Sequence, residues 1–167
     1  MITPAELARG GTEHGLQRAV FAWANVAMWR GFADAWNDRT YMEREPLKTV
    51  IQTGIRAVPE LRWYHAIHNQ GHGDAIRGGK AKAEGTKAGI PDTFLPVPIN
   101  GHAGLYIENK LSKYVNHKQG GLSDDQIECI AYLRNKGYAV HVAYSWEETA
   151  LTLQEYIKYG YTSASRF

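Results

Sequence analysis

Residues 87–110, "KAGIPDTFLPVPINGHAGLYIENK", decide the fold. Two short apolar runs, Asp92 to Val97 and Leu105 to Lys110, flank "PINGHAG", in which Asn100-Gly101 is a strong turn signal. The pattern predicts a β-hairpin with a somewhat long loop. Charges interrupt both strands: Asp92 stands directly after Pro91, and Glu108 and Lys110 break "YIENK". Isolated charges beside apolar strand residues cost free energy unless they are paired or bind something. Side chains alternate along a strand, so Glu108 and Lys110 share one face while Ile107 and Asn109 take the other. The hairpin sets Asp92, at the start of its first strand, near Glu108, at the end of its second. Two carboxylates converging at a sheet end form a hard-oxygen site suited to Mg²⁺ or Mn²⁺. A lysine beside them can orient or deprotonate a water and neutralise charge developing on a substrate. The bland alternative is a solvated edge-strand ion pair. Pro91-Asp92 ahead of the first strand weighs against it, and so does an acid on a separate helix, Glu13.

That helix starts near Thr12, a residue able to cap it. "EHGLQRAVFAWANVAMW" places Leu16, Val20, Phe21, Ala24 and Met28 at a period near 3.6. Glu13 precedes Leu16 and Val20 by one and two turns, which puts it on the buried stripe's face. It reads equally as an exposed first-turn acid complementing the helix dipole. Residues 31–60 carry a weaker pattern, with "DAWNDRTYMERE" as a polar connection and "PLKTVIQTGIRAVP" as a short helix. "LRWYHAIHN", Leu61 to Asn69, is aromatic, bounded by turn residues and expected as a strand. The Gly-rich, basic stretch after it reads as a loop. Further on, "LSDDQIECIAYLRNKG" opens with Ser123 as N-cap, Gln126 at the capping-box position and a Leu122–Ile127 staple, and stops at Gly137. "YAVHVAY" is a strand and "SWEETALTLQEYIKYG" a last helix ending at Gly160. The order is that of a mixed α/β domain.

The 167 residues fit one domain, and 44% hydrophobic with 22% charged residues is the composition of a globular chain. No apolar run approaches the roughly 18–20 residues of a membrane span. The start lacks the look of a signal peptide, and the lone Cys129 makes no demand on an oxidising compartment. A cytoplasmic protein is expected. The net charge is only +2, but Lys80, Lys82, Lys87, Lys113 and Lys118 bracket the acidic pair, as a phosphate-binding surface around a cation site requires. A solvated lysine-rich loop is the alternative. His65, His68 and His72 do not make a zinc site, because H-x-x-H on a strand sends the rings to opposite faces.

"GIPD", a strand and then "IENK" resemble the Pro-Asp…Glu-x-Lys pattern of the PD-(D/E)xK nuclease superfamily. The likeness is closer to the VRR-NUC domain. Glu13 and Gln17 in "EHGLQRAVFAWA" resemble that family's opening helix, and "AIHNQG" its following strand and turn. "KAEGTKAGIPDTFLPVP" is similar to its central motif, and "GLYIENK" with "LSDDQIECIAYLRNKGYAVHVAYSWEE" to the rest of its core. The resemblance runs from Thr12 to Trp146, with the 31–60 segment as an insertion in a single domain spanning 1–167. It implies a restriction-endonuclease-like core with a small mixed central sheet flanked by helices. It also implies a Mg²⁺- or Mn²⁺-dependent endonuclease with no small-molecule cofactor, a type seen in stand-alone phage proteins. On that resemblance Asp92, Glu108, Glu13 and the Asn109 backbone carbonyl hold or support the metal. Lys110 is the catalytic lysine, and Gln126 faces the site. Where the family has a proline after "AI", this chain has His68. The residue between Glu108 and Lys110 is the polar Asn109. For Gln126 two readings compete, helix cap and active-site residue, and the active site is favoured because Ser123 can cap alone.

The function expected from these features is hydrolysis of DNA phosphodiesters, with branched DNA such as four-way junctions as substrate and a homodimer as the form that reaches two strands. If the chain is phage-encoded, its place is the host cytoplasm. The rival readings are a non-catalytic DNA-binding module on the same fold, and a nuclease acting on flaps, linear DNA or RNA. The aromatic-rich segment from Trp23 to Tyr41 reads as a dimer surface or as additional core.

Overall fold

A computed structural model describes residues 2–42, 54–67 and 85–160. Helix α1 (Pro4–Ala8) is closed by a Thr3–Glu6 capping box and leads into α2 (Glu13–Arg30), whose N-cap Thr12 accepts from the Gly15 N–H. Two short helices follow, α3 (Phe32–Ala35) and α4 (Asp38–Met42). The polar connection expected here is therefore partly helical. It folds because its aromatic residues have a core to enter: Trp36 packs on both Trp23 and Trp146, and Tyr41 is 1% exposed. Trp23 and Tyr41 of this segment are core residues, while Trp36 keeps 37% of its surface exposed. The short helix expected within residues 46–59 falls largely outside the described residues.

The strand expected over Leu61–Asn69 is mostly a different structure. A 3₁₀ turn occupies Pro59–Trp63, opened by Pro59, and only His65–Ala66 pair as β1. Proline at the first helical position is pre-set for a helical turn and resists a ladder. The hairpin does form. Strand β2 (Thr93–Leu95) runs antiparallel to β3 (Leu105–Asn109), with Thr93 opposite Ile107 and Leu95 opposite Leu105. It is shorter than expected, because Pro96 and Pro98 have no N–H to continue the ladder. At the tip, Ile99 and His102 exchange both backbone hydrogen bonds, and Asn100 and Gly101 both have positive φ (49° and 85°). That is the two-residue type I′ turn the Asn-Gly pair favours.

Helix α5 (Asp124–Asn135) ends in a Schellman arrangement. Gly137 N–H bonds to Arg134 O, Tyr138 N–H bonds to Leu133 O, and Gly137 takes φ 84°. Strand β4 (Ala139–Ala143) then lies parallel to β3, and α6 (Trp146–Tyr159) closes the fold. The four-stranded sheet has the order β1-β2-β3-β4, antiparallel except for the β3–β4 pair. Alternation along the strands sorts its two faces. Leu95, Leu105, Ile107, Ala139 and Ala143 pack against α2 and α6 in the main core. On the other face Ile130 and Leu133 of α5 cover Val140, flanked by Tyr106 and Val142. The N-terminal end of β2, the C-terminal end of β3 and the start of α5 meet at one edge of this layer, where the charged residues collect. No helix among the described residues is long and apolar enough to cross a membrane.

The segment entering β2 is pressed against α5. Gly89 has φ 82°, and a Cβ there would sit 2.3 Å from the Asp125 carbonyl oxygen. Gly89→Ala is therefore expected to cost about 1–3 kcal/mol, through backbone strain and a forced shift against α5. Urea unfolding of the variant should show a lower midpoint. An unchanged midpoint would show that this approach is not constrained.

Candidate active site

Asp92 ends the segment before β2, and its carboxylate Oδ2 accepts the Asn109 backbone N–H at 2.8 Å. The hydrogen bond continues the β2–β3 pairing with a side chain where the main chain stops. N–H and C=O of one strand residue point to the same side, so the Asn109 carbonyl also faces the β2 edge. The β2–β3 ladder itself ends at the Thr93–Ile107 pair, and the backbone bends at Asp92. Glu108 is on the α5 face and 2% exposed. Its Oε1 lies 3.0 Å from Lys110 Nζ and also accepts from Gln126 Nε2. Its Oε2 is buried without a hydrogen-bond partner among the described residues.

Gln126 makes the contacts that both readings of the sequence call for. Its Oε1 accepts the Ser123 N–H at 2.9 Å, completing the capping box, while its Nε2 reaches Glu108. An amide has an acceptor end and a donor end, so cap and site contact do not exclude each other. Lys110 follows β3 directly, its N–H bonded to the Ala143 carbonyl at 2.8 Å and its side chain 12% exposed.

Glu13 is exposed at the first position of α2, so it is not the buried inward carboxylate its periodicity allowed. Its charge still raises the pKa of both Asp92 and Glu108, which sets it within electrostatic reach of the pair. Among the other expected contacts, Lys87, Lys113 and Lys118 are exposed, and Lys113 Nζ lies 5.0 Å from the Tyr114 ring centroid. Lys80 and Lys82, like His68 and His72, lie outside the described residues. His65 is exposed, with Nδ1 2.8 Å from the Trp63 carbonyl oxygen.

Burial dominates the electrostatics. The Glu108 carboxyl is pushed up to about 7, first by desolvation and then by Asp92, against the opposing pull of Lys110. Asp92 is also raised, chiefly by burial, although the Asn109 N–H holds it back. One lysine and one amide do not offset two carboxyls removed from water. A divalent cation does, and the donors present suit a hard one: two carboxylates, one with a buried oxygen lacking a partner among the described residues, and the Asn109 backbone carbonyl at the strand end.

A second tier was not legible in the sequence. Thr149 of α6, fully buried, donates to Asn109 Oδ1 at 2.7 Å. The Asn109 amide thus stays beside Asp92, close enough to lower its pKa though without a hydrogen bond of full geometry. Tyr64 donates to Thr93 Oγ1 at 3.0 Å directly under Asp92, and burial pushes its phenol up. The contacts join residues 29 and 40 apart in the chain, a separation no local pattern reveals.

A small mixed sheet between helices, with Asp and Glu-x-Lys meeting at one strand end, defines the PD-(D/E)xK class of nuclease fold. The VRR-NUC domain model matches residues 35–147, and the chain belongs to that family. A solved structure of a VRR-NUC domain protein is similar to it at 24% identity and a TM-score of 0.55, over 88% of each chain, and supports the fold. No curated protein matches the chain. Membership implies a DNA-related nuclease function, and such nuclease domains generally use divalent metals. The matched span starts inside the 31–60 segment and leaves out α2, so a role for Glu13 rests on its position alone.

Two outcomes are expected. In the metal-free protein the raised Glu108 pKa contributes stability that is full below the ordinary carboxylate range and lost as pH climbs through about 7. Thermal unfolding from pH 4 to 8 should therefore show wild type losing stability relative to Glu108→Gln as pH rises; parallel curves would refute it. Thr149→Val should cost about 1–3 kcal/mol by leaving Asn109 Oδ1 unpaired. It should also weaken divalent-metal binding in calorimetry, with Thr149→Ser restoring both.

Proposed function

We propose that the protein is a Mg²⁺- or Mn²⁺-dependent DNA endonuclease, structure-specific for branched DNA such as four-way junctions, acting as a homodimer. One observation carries the chemistry: Asp92, Glu108 and Lys110 come together at one sheet end, where Glu108 keeps a buried oxygen with no hydrogen-bond partner among the described residues. Asp92 and Glu108 would hold the cation, with the Asn109 carbonyl as a further donor and Glu13 as a support. When bound, a divalent cation polarises a phosphate oxygen and lowers the pKa of water.

The protein's own residues do the rest. Lys110 is placed to orient a water in line with the scissile P–O bond and to neutralise charge on the phosphate. Gln126 is a positioning residue: anchored to the α5 cap, it fixes the Glu108 carboxylate through one hydrogen bond. The Asn109 N–H fixes Asp92 in the same way. Lys87, Lys113 and Lys118, with Lys80 and Lys82, contact neighbouring phosphates and read no sequence. The leaving 3′ oxygen takes a proton from solvent, and the products carry a 5′-phosphate, as the family resemblance implies.

Matched-length four-way junction, 5′-flap, linear duplex and single-stranded DNA should be compared in Mg²⁺ and Mn²⁺. Symmetric nicking of the junction is expected, and Lys110→Ala should lower the rate by about 10²–10⁴-fold while leaving binding largely intact. Equal cutting of all four substrates would remove the branch preference and keep the chemistry. Tight metal-independent binding without cleavage would make the protein a binding module.

A further inference from the structure

On the far side of Tyr64 from Asp92 lies a groove that the mechanism does not use. It runs between α2 and the Pro59–Trp63 turn, encloses about 220 Å³, and is lined by Phe21, Asn25, Met28, Arg56, Arg62 and Tyr64, among others. None of the described residues lining it is acidic. Tyr64 links it to the site: its ring stacks on Phe21 at 4.9 Å, while its hydroxyl bonds to Thr93, next to Asp92. Both arginines lie over indoles, Arg56 above Trp29 at 4.8 Å and Arg62 above Trp63 at 5.3 Å. A guanidinium stacked on an aromatic face keeps its in-plane N–H groups free to fork onto an anion. Arg56 Nε is buried without a hydrogen-bond acceptor among the described residues, so a shift of the guanidinium toward an anion in the groove would give up no such bond at that nitrogen. Arg18 is exposed one turn before Phe21 on α2 and extends the positive edge toward Glu13.

We propose that this groove is a second nucleic-acid subsite, taking the phosphate backbone of an unpaired strand next to the scissile bond. The proposal rests on the nuclease reading. Three features choose the occupant. The volume falls below the roughly 300–1,000 Å³ of sites that enclose drug-sized ligands, against a buried small molecule. A second copy of the chain docked symmetrically here would set arginine against arginine with no acid among the described lining residues. Trp63 is 58% exposed beside Arg62, and an aromatic platform next to backbone-binding cations suits unpaired bases, which can stack where paired ones cannot.

The test is binding by fluorescence anisotropy, with metal chelated, of a duplex carrying a single-stranded tail and of a blunt duplex. Wild type, Arg62→Gln and Arg56→Gln/Arg62→Gln should be compared across salt, with cleavage of the same DNAs in Mg²⁺ in parallel. Arg62 is exposed, so its single variant should fold even if the double one does not. Expected is a roughly tenfold loss on the tailed DNA, a salt slope lower by about 0.7 for each phosphate no longer neutralised, and little change on the blunt duplex. Unchanged affinity and slope in variants of a wild type that cuts DNA would overturn the subsite and leave the nuclease standing. Equal losses on both DNAs would overturn the unpaired strand. A changed molar mass in light scattering with unchanged binding would make the groove an interface between copies, and so overturn it. A wild type that neither binds nor cuts DNA would overturn the nuclease reading and the subsite with it.

Discussion

The site depends on one hydrogen bond, from the Asn109 backbone N–H to the Asp92 carboxylate. It forms where the antiparallel ladder runs out. The type I′ turn at Asn100-Gly101 sets the hairpin direction, the Thr93–Ile107 register sets the alignment, and the backbone bends at Asp92, just past the last pair. The Asn109 N–H beyond that pair is met by the Asp92 carboxylate, which accepts in place of a backbone carbonyl. A carboxylate held by a backbone N–H has little freedom left. A register shift of one residue would turn Glu108 to the α2 face and Ile107 into the site, so the hairpin's alignment and the placing of its charges are one constraint.

Against that constraint stands an electrostatic conflict. Glu108 is almost wholly buried, beside a second carboxylate, and the single lysine near it does not hold its pKa in the ordinary range. A fold selected for stability alone has better residues for this position, since buried charge without full pairing is expensive. The arrangement survives because its surroundings over-determine it. Leu105 and Ile107 on the same strand are fully buried against α2 and α6, and α5 covers the opposite face. Local inconsistency inside a well-packed frame marks a place where something other than stability is being served.

Much of this was legible in the sequence, for reasons particular residues make plain. Thr12, Ser123, Gly137 and Gly160 act within a few residues of themselves, so caps and stops can be read from order alone. The hairpin was legible because Asn-Gly and the charge placement agree. Its length was not: the apolar run continues to Val97, while Pro96 and Pro98 end the ladder inside it. Leu61–Asn69 misled by composition: aromatic residues that resemble a strand are here recruited singly, Leu61 and Tyr64 to the core and Trp63 to the surface. Thr149 and Tyr64 stayed invisible as site residues because their partners are distant in the chain. The position of Glu13 on its helix was legible, but its exposure depends on how far α2 extends past its neighbours, which a helical wheel does not contain.

The two basic surfaces around the carboxylates differ in kind. Lys87, Lys113 and Lys118 are exposed, the last two in short 3₁₀ turns and Lys113 beside the Tyr114 ring, and a lysine on a flexible stem binds any phosphate within reach at a cost in side-chain freedom. Arg56 and Arg62 are held against tryptophans before any ligand arrives, so less of that freedom remains to be lost. A diffuse lysine surface tolerates many backbone paths, whereas stacked arginines favour one. With Tyr64 between groove and carboxylates, a strand fixed in the groove would enter the site in a single direction. The reach of its scissile phosphate would then be set by the length of one tyrosine. If the proposals hold, any choice among DNA shapes would be made in the groove and not at the carboxylate pair.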